Sequence, residues 1–107
     1  MLRNIHFFNL KPGVDEDTAI AALDRDVAEY TQSLGCIERK TWKLLDAHPD
    51  GSAPAMYMNE ALWSSQRAAD SFGSSIEQDT SPLSLRVRAA FDCITVVQNL
   101  RFVDDEG

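Results

Sequence analysis

The chain has 107 residues, of which 44% are hydrophobic and 25% charged, and it carries a formal net charge of −7 at pH 7. This composition fits one globular domain. The negative charge argues against a nucleic-acid partner and an anionic membrane surface, because both are bound through basic patches. No run of about 18 apolar residues predicts a transmembrane helix. The N-terminus does not have a signal-peptide pattern, so we expect a cytoplasmic protein.

The first stretch, Met1 to Gly13, predicts a β-strand that a Lys-Pro-Gly turn ends. Side chains alternate between the two faces of such a strand. One face carries Leu2, Asn4, His6, Phe8 and Leu10, and the other carries Arg3, Ile5, Phe7 and Asn9. Because both faces carry large apolar groups, we expect a central strand in a sheet that is covered on both sides.

An acidic start, apolar residues at three- and four-residue steps and a terminal glycine predict a first helix over Glu16–Leu34, capped by Asp15. A strand over Cys36–Leu45 follows, and its charged residues suit a sheet edge. A loop at 48–52 connects it to a third strand over Ala55–Leu62.

The second half of the chain repeats the order helix then strand. We expect a helix that begins after Ser64 or Ser65 and frays or ends near Ser75, because glycine and serine are poor helix formers. A hydroxyl cap followed by proline predicts a short extra helix over 80–91. A β-rich last strand spans Cys93–Val103.

The order of elements predicts an α+β, ferredoxin-like (split βαβ) fold. Its antiparallel four-stranded sheet has the order 4-1-3-2, with the first and third strands inside and the helices on one face. Residues 1–103 form the single domain, and 104–107 are expected to be a frayed acidic tail. Cys36 and Cys93 would then lie too far apart for a disulfide, and neither a metal nor a cofactor is expected.

The opening MLRNIHFFNLKPG, followed by an amphipathic helix with an acidic start, resembles the dimeric α/β barrel superfamily and within it the stress-responsive A/B barrel proteins. The specific match covers residues 1–34, and the order of elements matches over nearly the whole chain. The resemblance implies a homodimer in which two sheets face each other, here through the face bearing Ile5 and Phe7. It also implies a cleft between sheet and helices for small, aromatic or polyketide-like molecules.

Two residues of the first strand are candidates for catalysis. His6 titrates near neutral pH and can act as a base or an acid; the alternative is a histidine packed on the sheet with one hydrogen bond. Asn4 lies two residues away on the same face and can orient a carbonyl or stabilise an oxyanion. Solvation at the strand end is its alternative role.

The resemblance bears on these roles in two ways. Cyclase-type relatives carry a histidine at the place of Asn4 and another before the last strand, but this chain has no histidine after His48. Some cofactor-independent monooxygenases of the superfamily pair an asparagine of the first strand with tryptophan, which here is Trp63 or Trp42. Haem-degrading members need a histidine on a helix, and neither predicted main helix has one.

Phe8, Tyr30, Tyr57 and Trp63 are the candidate substrate-binding residues, because aromatic rings line pockets and hydroxyls can point at a ligand. Tyr30 also lies on the apolar stripe of the first helix, which favours a place in the core. Arg39 can anchor an anionic ligand, but a solvated charge on an edge strand is the simpler interpretation.

Three functions remain open from the sequence. The first is a homodimer that binds a small apolar or aromatic molecule, with cofactor-independent monooxygenase- or cyclase-like activity as an undecided extension. The second is a non-catalytic, stress-associated ligand-binding module, and the third is a structural dimer. A cleft with convergent polar groups beside His6 and Asn4 favours the first, a wholly apolar cleft the second, and solid packing the third.

Overall fold

The computed structural model describes residues 1–104. Four strands form one sheet: β1 (Leu2–Leu10), β2 (Cys36–Lys43), β3 (Tyr57–Trp63) and β4 (Ile94–Val103). Their spatial order is β2-β3-β1-β4, and the three pairings are antiparallel. This confirms the predicted ferredoxin-like α+β fold and the order 4-1-3-2, which is the same sheet counted from its other edge.

The first helical run lies where the sequence predicts it, but it is not one continuous α-helix. It consists of α1 (Glu16–Ala22), a π-helical segment (Leu23–Val27) and α2 (Ala28–Gln32). Asp15 caps its start as predicted, with its carboxylate accepting from a backbone amide. The run ends at Gln32, two residues short of the prediction.

The predicted fraying of the second helix near Ser75 is wrong, because α3 (Gln66–Gln78) continues three residues further. The Tyr30 hydroxyl lies 2.8 Å from Ser75 Oγ and ties this part of α3 to the first helical run. Tertiary contacts of this kind override the weak intrinsic propensities of glycine and serine. Ser65, rather than Ser64, is the N-cap.

The predicted extra helix is α4 (Pro82–Asp92), with Ser81 as its cap and proline in its first turn. The helices cover one face of the sheet, as predicted for the face bearing His6 and Phe8. The main core cluster joins that face to the helical run and α4; its buried members are Phe8, Leu23, Val27, Tyr30, Tyr57, Val87, Ala90 and Ile94.

The other face of the sheet is not covered by any element of residues 1–104. We call it the open sheet face; alternation and register assign to it Ile5, Phe7, Trp42, Met58, Leu62, Leu100 and Phe102. The side chains of Trp42 and Phe102 are 48% and 54% exposed. The chain is accordingly flat, with extents of 40 × 38 × 17 Å.

Met1 and Asp104, the first and last described residues, meet at one corner of the sheet. The amino group of Met1 lies 2.9 Å from the Asp104 carboxylate, so the first residue of the predicted tail is paired. The rest of that tail, 105–107, falls outside the described residues. Cys36 and Cys93 are both free, in agreement with the prediction that they do not bridge. None of the helices within residues 1–104 is long and apolar enough to cross a membrane.

Candidate functional site

A cleft of about 490 Å³ lies between the helix-covered face of the sheet and helices α3 and α4. All four strands and both helices contribute to its wall. The lining residues are Asn4, His6, Arg39, Trp63, Ala69, Asp70, Phe72, Phe91, Val96, Asn99 and Arg101. One side of the cleft is therefore polar and strand-borne, and the other is largely apolar and helix-borne.

Strand pairing explains why the polar groups converge. Across the β1–β4 ladder, Asn4 is paired with Arg101 and His6 with Asn99. Residues directly opposite each other in an antiparallel pair point to the same face. Trp63 ends β3 on this face, so side chains far apart in sequence meet above the centre of the sheet.

Asn4 and His6 contact each other within the cleft. Asn4 Nδ2 lies 3.4 Å from His6 Nε2. Burial, and then the positive charge of Arg39, lower the pKa of His6 from 6.5 to about 4. The imidazole is therefore neutral at physiological pH, and its Nε2 faces the Asn4 amide.

Arg39 is not the solvated edge charge that the sequence favours. Its guanidinium is largely buried, and one Nη donates to Asn59 Oδ1 at 2.6 Å. Burial lowers the pKa of Arg39, against the opposing effect of Cys36 and Asp24. The interpretation of Arg39 as a solvated charge fails because strand periodicity assigns a residue to one face of the sheet but does not reveal what packs above that face.

Three buried polar atoms within residues 1–104 have no hydrogen-bond partner: Asn4 Oδ1, Arg39 Nε and Trp63 Nε1. All three belong to side chains that line the cleft. An unpaired buried polar atom costs about 1–3 kcal/mol, and such atoms are rare in native proteins. Their concentration in one place distinguishes the cleft from the rest of the described residues.

Three of the predicted site residues thus come together and three do not. Asn4, His6 and Trp63 line the cleft, whereas Phe8, Tyr30 and Tyr57 belong to the core cluster. Phe8 is fully buried and stacks on Tyr57, with ring centroids 5.4 Å apart.

The hydroxyl groups of the two tyrosines are bound elsewhere. The Tyr57 hydroxyl donates to Glu16 at 2.5 Å, an interaction that raises the pKa of Tyr57. The Tyr30 hydroxyl bonds Ser75, and its ring lies edge-on to Phe72 at 5.9 Å, so Tyr30 supports the cleft wall from behind.

The two tryptophans lie on opposite faces of the sheet. Trp63 is 2% exposed and lines the cleft beside Asn4, whereas Trp42 lies on the open sheet face with the Lys40 ammonium 4.4 Å above its ring. Of the two asparagine–tryptophan pairs left open by the sequence, the structure brings together only Asn4 and Trp63.

Sequence reasoning missed the polar residues of β4 and the helix-borne wall. Asn99 and Arg101 face His6 and Asn4 across a ladder whose register shifts between Phe7 and Phe8. The predicted strand order, which places the last strand beside the first, could have pointed to Asn99 and Arg101. The sequence does not show the register shift, so the exact pairs could not have been predicted. Arg101 also bonds Asp70 at 2.6 Å, across the rim of the cleft.

The loop histidine is remote from this chemistry. His48 Nε2 lies 3.5 Å from Asp46 Oδ1, and both side chains are largely exposed. Within residues 1–104 no group of three or more histidine, cysteine or acidic side chains is placed to hold a metal ion.

Solved structures similar to this chain share its fold. At3g17210 from Arabidopsis thaliana matches with a TM-score of 0.71 and 11% identity, over 97% of this chain and 95% of that one. HapK from Hahella chejuensis matches with a TM-score of 0.65 and 19% identity, over 97% of this chain and 92% of that one. The hydroxynitrile lyase from Passiflora edulis matches with a TM-score of 0.56 and 20% identity, over 99% of this chain and 94% of that one. No protein-family model and no curated sequence matches the chain. The sheet topology and these structural matches therefore assign the chain to the class of ferredoxin-like α+β folds.

The lowered pKa of His6 predicts a pH-dependent stability. Between about pH 6.5 and 4 the unfolded chain holds a proton on His6 that the folded chain does not, so the free energy of unfolding falls as the pH falls through this window. The total loss from this group is roughly 3 kcal/mol. Urea denaturation of the wild type and of His6→Gln at each pH isolates the effect from that of the carboxylates, and a wild type that loses no more stability than the variant contradicts it.

Proposed function

We propose that the protein is a homodimer that binds a small, largely apolar or aromatic molecule in the cleft between sheet and helices. The observation that carries this proposal is the convergence of unpaired polar atoms from Asn4, Arg39 and Trp63 on one cleft with an aromatic wall. Small-molecule sites are mostly apolar, with a few convergent polar groups that fix orientation. A purely structural dimer has no use for such a cleft.

The same residues support cofactor-free enzymatic activity, of a monooxygenase- or cyclase-like kind, as part of this proposal. The Asn4 amide is placed to orient a substrate carbonyl, and the neutral His6 imidazole beside it can accept a proton. With a pKa of about 4, His6 is a weak base in the free protein. Substrate must therefore be held against it for proton transfer to occur. A hydroxynitrile lyase on the same fold is consistent with an enzyme.

A second copy of the chain is the partner that fits the open sheet face. Apolar residues of β1 lie at the centre of this face, with exposed Trp42 and Phe102 around them. Monomers rarely leave so large a contiguous apolar patch in water, and a two-fold symmetric copy would cover it with an identical patch.

A cleft-filling substitution tests the binding proposal. Ala69 on α3 lines the cleft, so Ala69→Phe should place a ring in the ligand's space and weaken binding of the probe 2-naphthol at least tenfold by isothermal titration calorimetry. The smaller Ala69→Leu should give an intermediate loss.

The matched control is Ala21→Phe, which adds the same ring at an exposed position of α1 and should change the affinity less than twofold. If folded Ala69→Phe protein binds 2-naphthol as tightly as the wild type, the ligand does not occupy this cleft. Absence of binding by the wild type at millimolar probe would contradict the proposal itself.

A further inference from the structure

The positive charge of Arg39 is only partly balanced, by the more distant Asp24 carboxylate and by Cys36. One Nη of the side chain donates to the neutral amide of Asn59, and the Cys36 thiol also interacts with the guanidinium. Its Nε is buried without a hydrogen-bond partner. No carboxylate of residues 1–104 lies within ion-pair distance of it. A buried cation is costly unless it is paired and hydrogen-bonded, and burial is also the main cause that lowers the pKa of Arg39.

A second unsatisfied donor lies on the neighbouring strand. Arg39 is paired with Ala61 across the β2–β3 ladder, and Trp63 follows Ala61 by two positions on the same face. Diagonal neighbours of this kind are within reach of long side chains. The indole Nε1–H of Trp63 can only donate, and it has no acceptor. Arg39 Nε and Trp63 Nε1 are therefore two donors without hydrogen-bond acceptors. Because Arg39 is positively charged, an acceptor that carries a negative charge would suit it best.

The rest of the cleft fits an anion with an apolar body. The charged lining side chains are Arg39, Arg101 and Asp70, so the cleft has a local positive excess although the chain carries a net charge of −7. Arg101 and Asp70 pair with each other at the rim, and His6 is neutral. Opposite the polar strands lie Phe72 of α3 and Phe91 of α4, and Val96 of β4 adds an apolar side chain to the cleft.

We propose that the ligand of this cleft is an apolar carboxylic acid, bound as its carboxylate between Arg39 and Trp63, with its hydrocarbon or aromatic body against Phe72 and Phe91. A carboxylate has two oxygens that accept several hydrogen bonds and neutralise the guanidinium, which a neutral carbonyl does not. Small rotations of the two side chains present their buried N–H groups to it. This inference rests on the proposed function and adds the chemical class of the ligand.

Two probes of equal shape test the inference. 2-Naphthoate and 2-naphthamide differ in charge but hardly in size, and their affinities are measured by calorimetry at pH 7 and fixed ionic strength. We expect the wild type to bind the acid at least tenfold more tightly than the amide. In Arg39→Met this preference should fall below twofold while the affinity for the amide stays within threefold.

The controls separate failure of this inference from failure of the proposed function. Arg67→Met, at an exposed position of α3, should keep the preference of the wild type, and Arg39→Lys should keep part of it. Equal affinity of the wild type for the two probes overturns the inference and leaves the cleft as a site for uncharged aromatic molecules. A preference that survives in folded Arg39→Met also overturns it, by assigning the anion to another cation. Binding of neither probe contradicts the proposed function as well.

Discussion

Leu23→Ala should lower the free energy of unfolding by about 2–5 kcal/mol, the range for a leucine truncated in a well-packed core. Leu23 is 1% exposed and belongs to the cluster that joins the first helical run to Phe8 on the sheet. It also begins the π-helical segment. Because a π turn is rarely stable by itself, packing must hold this segment, and loss of the side chain removes that packing.

Urea denaturation monitored by circular dichroism measures the effect. All variants are compared at one fixed protein concentration, because the stability of the proposed homodimer would depend on it. The matched control is Leu85→Ala on α4. Leu85 is 57% exposed, so its truncation should cost less than about 0.5 kcal/mol. If Leu23→Ala costs as little as the control, the first helical run does not pack as described.

Phe7→Glu should convert the proposed homodimer to monomers at micromolar concentration. Phe7 lies near the middle of β1, flanked by Met58 on one neighbouring strand and Gln98 on the other. A glutamate there would be buried unpaired against the partner's sheet, which is costly enough to abolish most associations. The helix-covered face and the cleft should be unaffected, because residue 7 points away from them.

Analytical ultracentrifugation measures this result. The wild type and Phe7→Leu, which keeps an apolar side chain, should both sediment with twice the chain mass, and Phe7→Glu with the mass of one chain. A wild-type monomer, or a Phe7→Glu variant that stays a stable dimer, is incompatible with two sheets facing each other.

The strand alternation of the first ten residues predicted most of the architecture. It assigned Asn4, His6 and Phe8 to the helix-covered face and Ile5 and Phe7 to the open sheet face. The order of elements then gave the topology, because right-handed crossovers leave one way to nest two such halves. These features depend on local periodicity and general chain geometry, which a sequence records directly.

The composition of the cleft depends on information that periodicity does not contain. The burial of Arg39 follows from the elements above β2, and the positions of Asn99 and Arg101 depend on a ladder with a bulge. Phe8 stands two positions from His6 on the same face, yet it packs into the core instead of lining the cleft. Depth and local packing separate such neighbours, and both are tertiary properties.

The two tryptophans provide the most direct test of the central claim, that the cleft beside Asn4, His6 and Arg39 is the ligand site. Their indole N–H signals in a ¹H–¹⁵N correlation spectrum report on opposite faces of the sheet, since Trp63 lines the cleft and Trp42 does not. Titration with 2-naphthol should shift the Trp63 signal saturably and leave the Trp42 signal in place. A shift confined to Trp42, or a Trp63 signal that does not move at saturating probe, would contradict the account.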